Sequence, residues 1–351
     1  MGIGTMRAAV LERTGSIAVK QVRVPALLSQ EVLLRVAYCG ICGTDLHAFE
    51  GTFPVGKMPI ILGHEFAGVI AELGKDVKGL KVGDRVTADI NIGCDRCYHC
   101  LRGERLLCAQ MEQIGLSRDG GFAEFVKVPV ANIRALPDTV SLLHAAFVEP
   151  LSCAIHGQDE AGVELGQSVA IIGAGPMGLI HVQLSRLRGG APIVVLEKNP
   201  KRRVKAEVAG ADVVIDPDTI SASESIRHIT KDVGADVVIE AVGSVATYEL
   251  ALQLLRRGGK LLFFGAAPPA EKMQIAPYDV FSKEWRIKGV IAASYHFWDQ
   301  AVTLLEHRRF DPGLILSEVM PLEELQSAMQ LLLRDKTVTK IVIKVSDGDI
   351  A

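Results

Sequence analysis

Aromatic side chains are scarce in this sequence, at 5% of residues, so its cores must be built mainly from Val, Leu, Ile and Ala. Long apolar runs are missing as well. The longest, around Val169–Ile172 and Leu261–Phe264, fall far short of a bilayer span. The opening Met1-Gly2-Ile3-Gly4-Thr5-Met6-Arg7 lacks the charged-then-apolar layout of a secretory signal, and a cytoplasmic protein is expected. Positive charge is not in excess. With 38 basic and 41 acidic residues the net charge is -3, which argues against a general nucleic-acid or anionic-membrane binder.

What is present points to an α/β enzyme of two domains, the natural division for 351 residues. Up to about residue 150 the chain carries short β-rich runs, such as Arg7–Leu11, Glu31–Ala37 and Glu65–Leu73, broken by Gly and Pro turns. This is the texture of a small barrel-like β domain. From about residue 152 to 292 apolar runs alternate with helical stretches. The runs are Ser168–Ile172, Ile193–Leu196, Asp212–Ile215, Asp236–Ile239, Lys260–Phe264 and Arg286–Val290. Six such strands with helices between them predict a doubly wound parallel sheet. Beyond it the pattern predicts helices over Trp298–His307 and Leu322–Leu333, then a strand over Lys340–Val345 that rejoins the first domain.

Gly173-Ala174-Gly175-Pro176-Met177-Gly178 fits G-x-G-x-x-G between a predicted strand, Ser168–Ile172, and a predicted helix, Met177–Leu187. In that context the first Gly allows a tight turn and the second lets backbone approach a pyrophosphate. The third lets helix and strand pack closely. Glu197 follows at the end of the next strand, where a carboxylate accepts hydrogen bonds from the adenosine ribose and repels a 2′-phosphate. That favours NAD over NADP. Lys198, Arg202 and Arg203 pull the other way, as a solvated helix face or as phosphate partners, and Arg202 could instead hold the NAD ribose.

Of seven cysteines, four stand as Cys94-x-x-Cys97-x-x-Cys100-x7-Cys108, too clustered for a disulfide scaffold in a chain of this size. Four soft thiolates at tetrahedral reach make a closed structural zinc site, with an iron–sulfur cluster, free thiols or His99 as a substitute ligand as the alternatives. Two further segments complete the set: Cys42-Gly43-Thr44-Asp45-Leu46-His47 and Gly63-His64-Glu65-Phe66-Ala67-Gly68.

In this order, over essentially the whole chain, these motifs resemble the zinc-containing medium-chain dehydrogenases, in the branch of threonine and sorbitol (polyol) dehydrogenases. Glu149-Pro150-Leu151-Ser152 supports that branch. The resemblance implies a GroES-like catalytic domain from residues 1–151 and 293–351, with a four-cysteine lobe at about 91–112. It implies a Rossmann domain over 152–292 and a homodimer or homotetramer. It implies two zinc ions per chain, a structural one on Cys94, Cys97, Cys100 and Cys108 and a catalytic one on Cys42 and His64. Glu65 would be a ligand that exchanges with water, and Glu149 the third-ligand carboxylate, bound directly or through water. Thr44 would be the relay hydroxyl and His47 the outer base. Gly265 would face the nicotinamide beside the Gly173, Gly175, Pro176, Met177 and Gly178 loop.

The sequence departs from those relatives in two places. Ala292 and Ala293 stand in Gly289–Trp298 where an arginine is expected, and Ala48 and Phe49 replace a tyrosine after the relay histidine. The expected substrate is a secondary alcohol or ketone on a small polar molecule (a polyol, sugar alcohol or hydroxy-amino acid) that need be neither threonine nor sorbitol. Phe53, Ile114, Phe297 and Trp298 are candidate pocket walls, the first three equally readable as packing residues. The alternatives are an NADPH-linked zinc ketone reductase and a non-catalytic binding protein on the same fold.

Overall fold

A computed structural model describes residues 4–346. The chain divides into two compact units. One comprises the residues up to Ser152, together with Ala293–Arg308 and those from Leu316 onward; the other comprises Cys153–Ala292 and Arg309–Ile315.

The second unit is a six-stranded parallel sheet. Its spatial order is Val213–Ile215, Ile193–Leu196, Val169–Ile172, Ala235–Glu240, Leu255–Phe263, Arg286–Gly289. Numbered along the unit, this is the 3-2-1-4-5-6 order of a doubly wound dinucleotide fold. Every residue of Val169–Ile172 and Ile193–Leu196 is buried. Parallel strands covered on both faces have no solvent side to mark with polar residues, hence the unbroken apolar runs. Val169 pairs with Ile193 on one side and Val237 on the other, which centres the first strand. Beneath it, Ala170, Ile172, Val194, Val238, Ile226 and Leu254 share one core. One strand differs from the sequence expectation: it begins at Leu255, ahead of the apolar run at Lys260. Its pairing skips from Ala235–Leu255 to Val237–Lys260, and Gly258, at φ +69, turns the backbone within the gap.

In the first unit a seven-stranded sheet runs Ile133–Ala135, Arg85–Ala88, Glu65–Leu73, Glu31–Gly40, Lys340–Lys344, Leu316–Pro321, with Phe125–Pro129 also paired to Glu31–Gly40. A smaller sheet joins Ser16–Arg23, Thr5–Arg13 and Ile60–Ile61. The Glu31–Gly40 strand carries the site. On one side Glu65 lies opposite its last residue, Gly40. On the other, Val342 lies opposite the same glycine. The C-terminal strand is therefore one strand away from the His64-Glu65 pair. Among the described residues no helix is long and apolar enough to cross a membrane.

Candidate active site and metal centres

Cys42 is the N-cap of the helix Gly43–Glu50. Its backbone N–H donates to Asp45 Oδ2 at 2.9 Å, and the other Asp45 oxygen accepts from Gly63 N at 3.2 Å. One fully buried carboxylate thus ties together the two loops that hold Cys42 and His64. The same Oδ1 lies 3.4 Å from His64 Nδ1. Asp45 therefore organises its own turn and reaches the second loop as well.

Cys42 Sγ, a His64 ring nitrogen and a Glu65 oxygen lie within 4.8 Å of one another. His64 and Glu65 are buried, at 3% and 1% exposure. Burial alone would push the His64 imidazole down, but Asp45 and Cys42 beside it outweigh that and hold it well above its ordinary value. A thiol, an imidazole and a carboxylate gathered this closely, the last two buried, are donors that a divalent cation can bind in place of protons. The donor set of thiolate, imidazole and carboxylate fits zinc. Glu149 lies outside this three-residue group, buried in the first turn of Val148–Ala161, and its charge is felt at Lys340. Thr44 Oγ1 is 3.7 Å from Cys42 Sγ. His47 is exposed, with Nδ1 3.4 Å from Thr52 Oγ1.

Of the candidate pocket walls, Ile114 and Trp298 are each 1% exposed and Phe297 is buried. They are packing residues, and the Trp298 indole is further engaged with Ala293 O at 3.4 Å. Phe53, at 39% exposure, is the one of the four free to meet a ligand.

The sulfurs of Cys94, Cys97, Cys100 and Cys108 form a second group within 4.8 Å. Backbone amides of Arg96 and Cys97 bring the Cys94 thiol down to about 6, while desolvation and the neighbouring sulfurs lift Cys100 to about 11. Sulfurs this close cannot all ionise without a cation between them. The lobe has little core of its own: its helix Tyr98–Leu101 buries no residue, and Tyr98, Leu101 and Leu107 are exposed. A metal would supply the cohesion that apolar packing does not. His99 is occupied by Glu104, 2.9 Å from its Nδ1, and stands outside the sulfur group. Cys97→Ser is expected to remove one zinc per chain and lower the melting temperature, leaving the turnover of the surviving folded fraction near wild type. Metal analysis beside thermal unfolding checks this, and equal zinc content in the variant would refute it.

In the second unit Gly173 takes φ +94 and donates to Leu196 O at 2.8 Å. A Cβ on Gly178 would lie 1.9 Å from Gly173 O, so this position admits only glycine. Gly175 caps the helix Pro176–Leu187, and Pro176 opens it, where a missing N–H costs nothing. Met177 follows in the first turn. Such an N-terminus offers free N–H groups and positive potential to a pyrophosphate. Arg202 leans over the loop: its Nη1 would be 3.7 Å from a Cβ on Gly175. Glu197 Oε2 accepts from Ala174 N at 2.7 Å and Oε1 from Asn199 N at 2.8 Å, which pins the carboxylate beside the loop. Lys198 pairs with Asp218, and Arg203 Nη1 with Asp216 and two carbonyls. Gly265 packs on Gly243, whose N would be 2.3 Å from an added Cβ, so its bareness already serves the packing of two strand ends.

Lys340 escaped the sequence reading. A single Lys opening an apolar strand reads as a solvated end, yet here it is 3% exposed and ion-paired with Glu65.

Comparison with known proteins agrees with this geometry. Residues 29–138 match the alcohol dehydrogenase GroES-like domain and residues 176–307 the zinc-binding dehydrogenase family. The chain is 35% identical to D-arabinitol dehydrogenase 1 of Uromyces fabae, over 97% of this chain and 96% of that one. It is 34% identical to a sorbitol dehydrogenase of Bacillus subtilis (strain 168), over 94% of each. A structure from Sinorhizobium meliloti 1021, assigned as a zinc-binding dehydrogenase and bound to NADP, superposes with a TM-score of 0.93 at 35% identity, covering 97% of this chain and 100% of that one. The chain belongs to the zinc-binding alcohol dehydrogenase family, in its polyol and threonine dehydrogenase branch. It is an oxidoreductase of the alcohol CH–OH group that works with zinc and a nicotinamide dinucleotide.

Proposed function

We propose that the chain transfers hydride between NAD and a secondary alcohol on a small, uncharged polyol or sugar alcohol, or runs the reaction in reverse. The observation that carries this is the donor group of half-buried Cys42 and buried His64 and Glu65, in a chain that also holds the glycine loop. The first unit is the catalytic domain and the second the cofactor domain. Relatives include sorbitol, arabinitol and threonine dehydrogenases. Among these substrate classes the Gly289–Trp298 stretch disfavours the hydroxy-amino acid, because it offers no Lys or Arg to a carboxylate.

Zinc at this site supplies Lewis acidity that lowers the pKa of a bound hydroxyl toward about 7, and the nicotinamide accepts the hydride. The rest falls to side chains. Cys42, His64, Glu65 and Glu149 would hold the metal, with Asp45 fixing the geometry of the first two from behind. Thr44, beside Cys42, would accept the hydroxyl proton as it gives up its own toward exposed His47, the outer base that releases a proton to water. Lobe residues Cys94, Cys97, Cys100 and Cys108 carry the structural metal.

Gly173, Gly175, Pro176, Met177 and Gly178 seat the pyrophosphate, Glu197 the adenosine ribose, and Arg202 and Gly265 complete the cofactor site. The preference for NAD rests on charge: of the nearby cations Lys198 and Arg203 are already paired with Asp218 and Asp216. Arg202, over Gly175, favours the second reading, NADP. Glu197→Ala is expected to lower the NAD-to-NADP ratio of kcat/KM roughly tenfold, the worth of one charged hydrogen bond. The ratio is the readout because loosening of the loop affects both cofactors. An unchanged ratio refutes the ribose role, and a panel of polyols, sugar alcohols and hydroxy-amino acids tests the substrate class.

A homodimer or homotetramer is supported by the edge strand Arg286–Gly289. The helix Pro277–Lys283 ahead of it buries no residue, with Tyr278 and Phe281 at 74% and 79% exposure. Clustered free thiols suit a reducing compartment, the cytoplasm.

A further inference from the structure

We propose that Lys340 is a positioning residue that competes with zinc for the Glu65 carboxylate, and so keeps Glu65 an exchangeable ligand instead of a permanent one. This rests on the catalytic-zinc reading above and goes beyond it.

Glu65 and Val342 flank Gly40 from opposite sides, and Lys340 lies two residues before Val342. A side chain on Gly40 would block any contact across the strand: a Cβ there would stand 2.1 Å from Glu65 Oε2. With glycine in place the Lys340 ammonium reaches over. Nζ donates to Glu65 Oε1 at 2.6 Å and to Ile41 O at 3.0 Å, and contacts Oε2 as well. Two of the ammonium's three donors are thus engaged, and Glu65 Oε2, though beside the ammonium, accepts no hydrogen bond among the described residues.

Both partners are buried, Lys340 at 3% and Glu65 at 1%. A buried pair is not broken without large cost unless another cation takes the carboxylate. Such a cation is what the neighbouring donors imply, since a Glu65 oxygen also lies within 4.8 Å of the Cys42 sulfur and a His64 nitrogen. One carboxylate therefore has two claimants. When Lys340 holds it, zinc keeps a position open for the substrate hydroxyl. When zinc holds it, that position is closed. Asp45, Glu65 and Glu149 bring carboxylates to this region, and Lys340 is a cation that the protein itself sets among them.

The test is zinc release from the whole chain to a chelator, with the four-cysteine zinc as internal reference. In Lys340→Met the carboxylate has zinc as its sole cationic partner. Release of the catalytic zinc is expected to slow roughly tenfold, the lower end of what outer partners of a metal site contribute, while kcat falls. The visible spectrum of the cobalt-substituted chain should change with the donor set. In Lys340→Arg the planar guanidinium grips the carboxylate with two parallel hydrogen bonds, and release should quicken by a similar factor. Opposite movement of the two variants supports the proposal. Faster release in both, or no change in either, overturns it. Should Lys340→Met not fold, Lys340→Arg alone decides, and unchanged or slower release overturns it. A wild-type chain with two zincs but unmoved variants sinks this inference alone. A wild-type chain holding only the lobe zinc sinks the catalytic-zinc reading and this inference together.

Discussion

Cys42→Ala should reduce kcat/KM about a thousandfold or more while the chain stays folded and keeps one zinc. The size follows from what the metal does. Lewis-acid stabilisation of developing alkoxide charge is worth several kcal/mol, and each 1.4 kcal/mol is about a factor of ten in rate. Cys42 is the one thiol in the donor group, so alanine there removes the softest ligand and the metal with it. The helix Gly43–Glu50 should survive. Its cap contact runs from Cys42 N to Asp45, and that backbone N–H is untouched by the substitution. Steady-state kinetics, metal analysis and circular dichroism on one sample check the three parts. Wild-type turnover in a variant with one zinc would show that this site is not where the chemistry occurs.

Gly178→Ala should weaken NAD about a hundredfold while leaving both zincs bound. An added methyl would sit 1.9 Å from Gly173 O, a backbone atom with no rotamer to escape into. Either the loop or the helix Pro176–Leu187 must move away, and both sides of that contact would hold the pyrophosphate. A displacement on the order of 1 Å at a positioning element costs about a hundredfold. Overpacking should also cost about 1–3 kcal/mol of stability. Titration of cofactor fluorescence, with zinc counted in parallel, separates this result from Cys42→Ala. Unchanged cofactor affinity would mean that the loop is a structural turn only.

Much of the cofactor half was legible in the sequence because its determinants are local. Gly178 meets its steric reason, the Gly173 carbonyl, within six residues, and Ile193–Leu196 is an unbroken apolar run because both faces of that strand are buried. The ragged start at Leu255 was not legible, since the glycine turn within it leaves no apolar signal. The metal half divides the same way. Cys42, His64, Glu65 and the four lobe cysteines are readable as donors, and the fold brings them together in two groups. The contact of Asp45 with Cys42 is local, but its bond to Gly63, eighteen residues on, belongs to the tertiary structure. Lys340 lies 275 residues from Glu65, and Gly40, which lets them meet, sits on a third segment. No window of sequence contains that triad. Likewise the sequence left Ile114 open between pocket wall and packing residue and offered Trp298 as a wall, and burial places both in the core.

The central claim is a zinc-assisted hydride transfer served by two metal sites, and metal content measured with cofactor-linked turnover tests it most directly. The account predicts two zincs per chain and NAD reduction on a polyol or sugar alcohol that a chelator abolishes and added zinc restores. One zinc per chain, with turnover that neither chelator nor zinc alters, would contradict it.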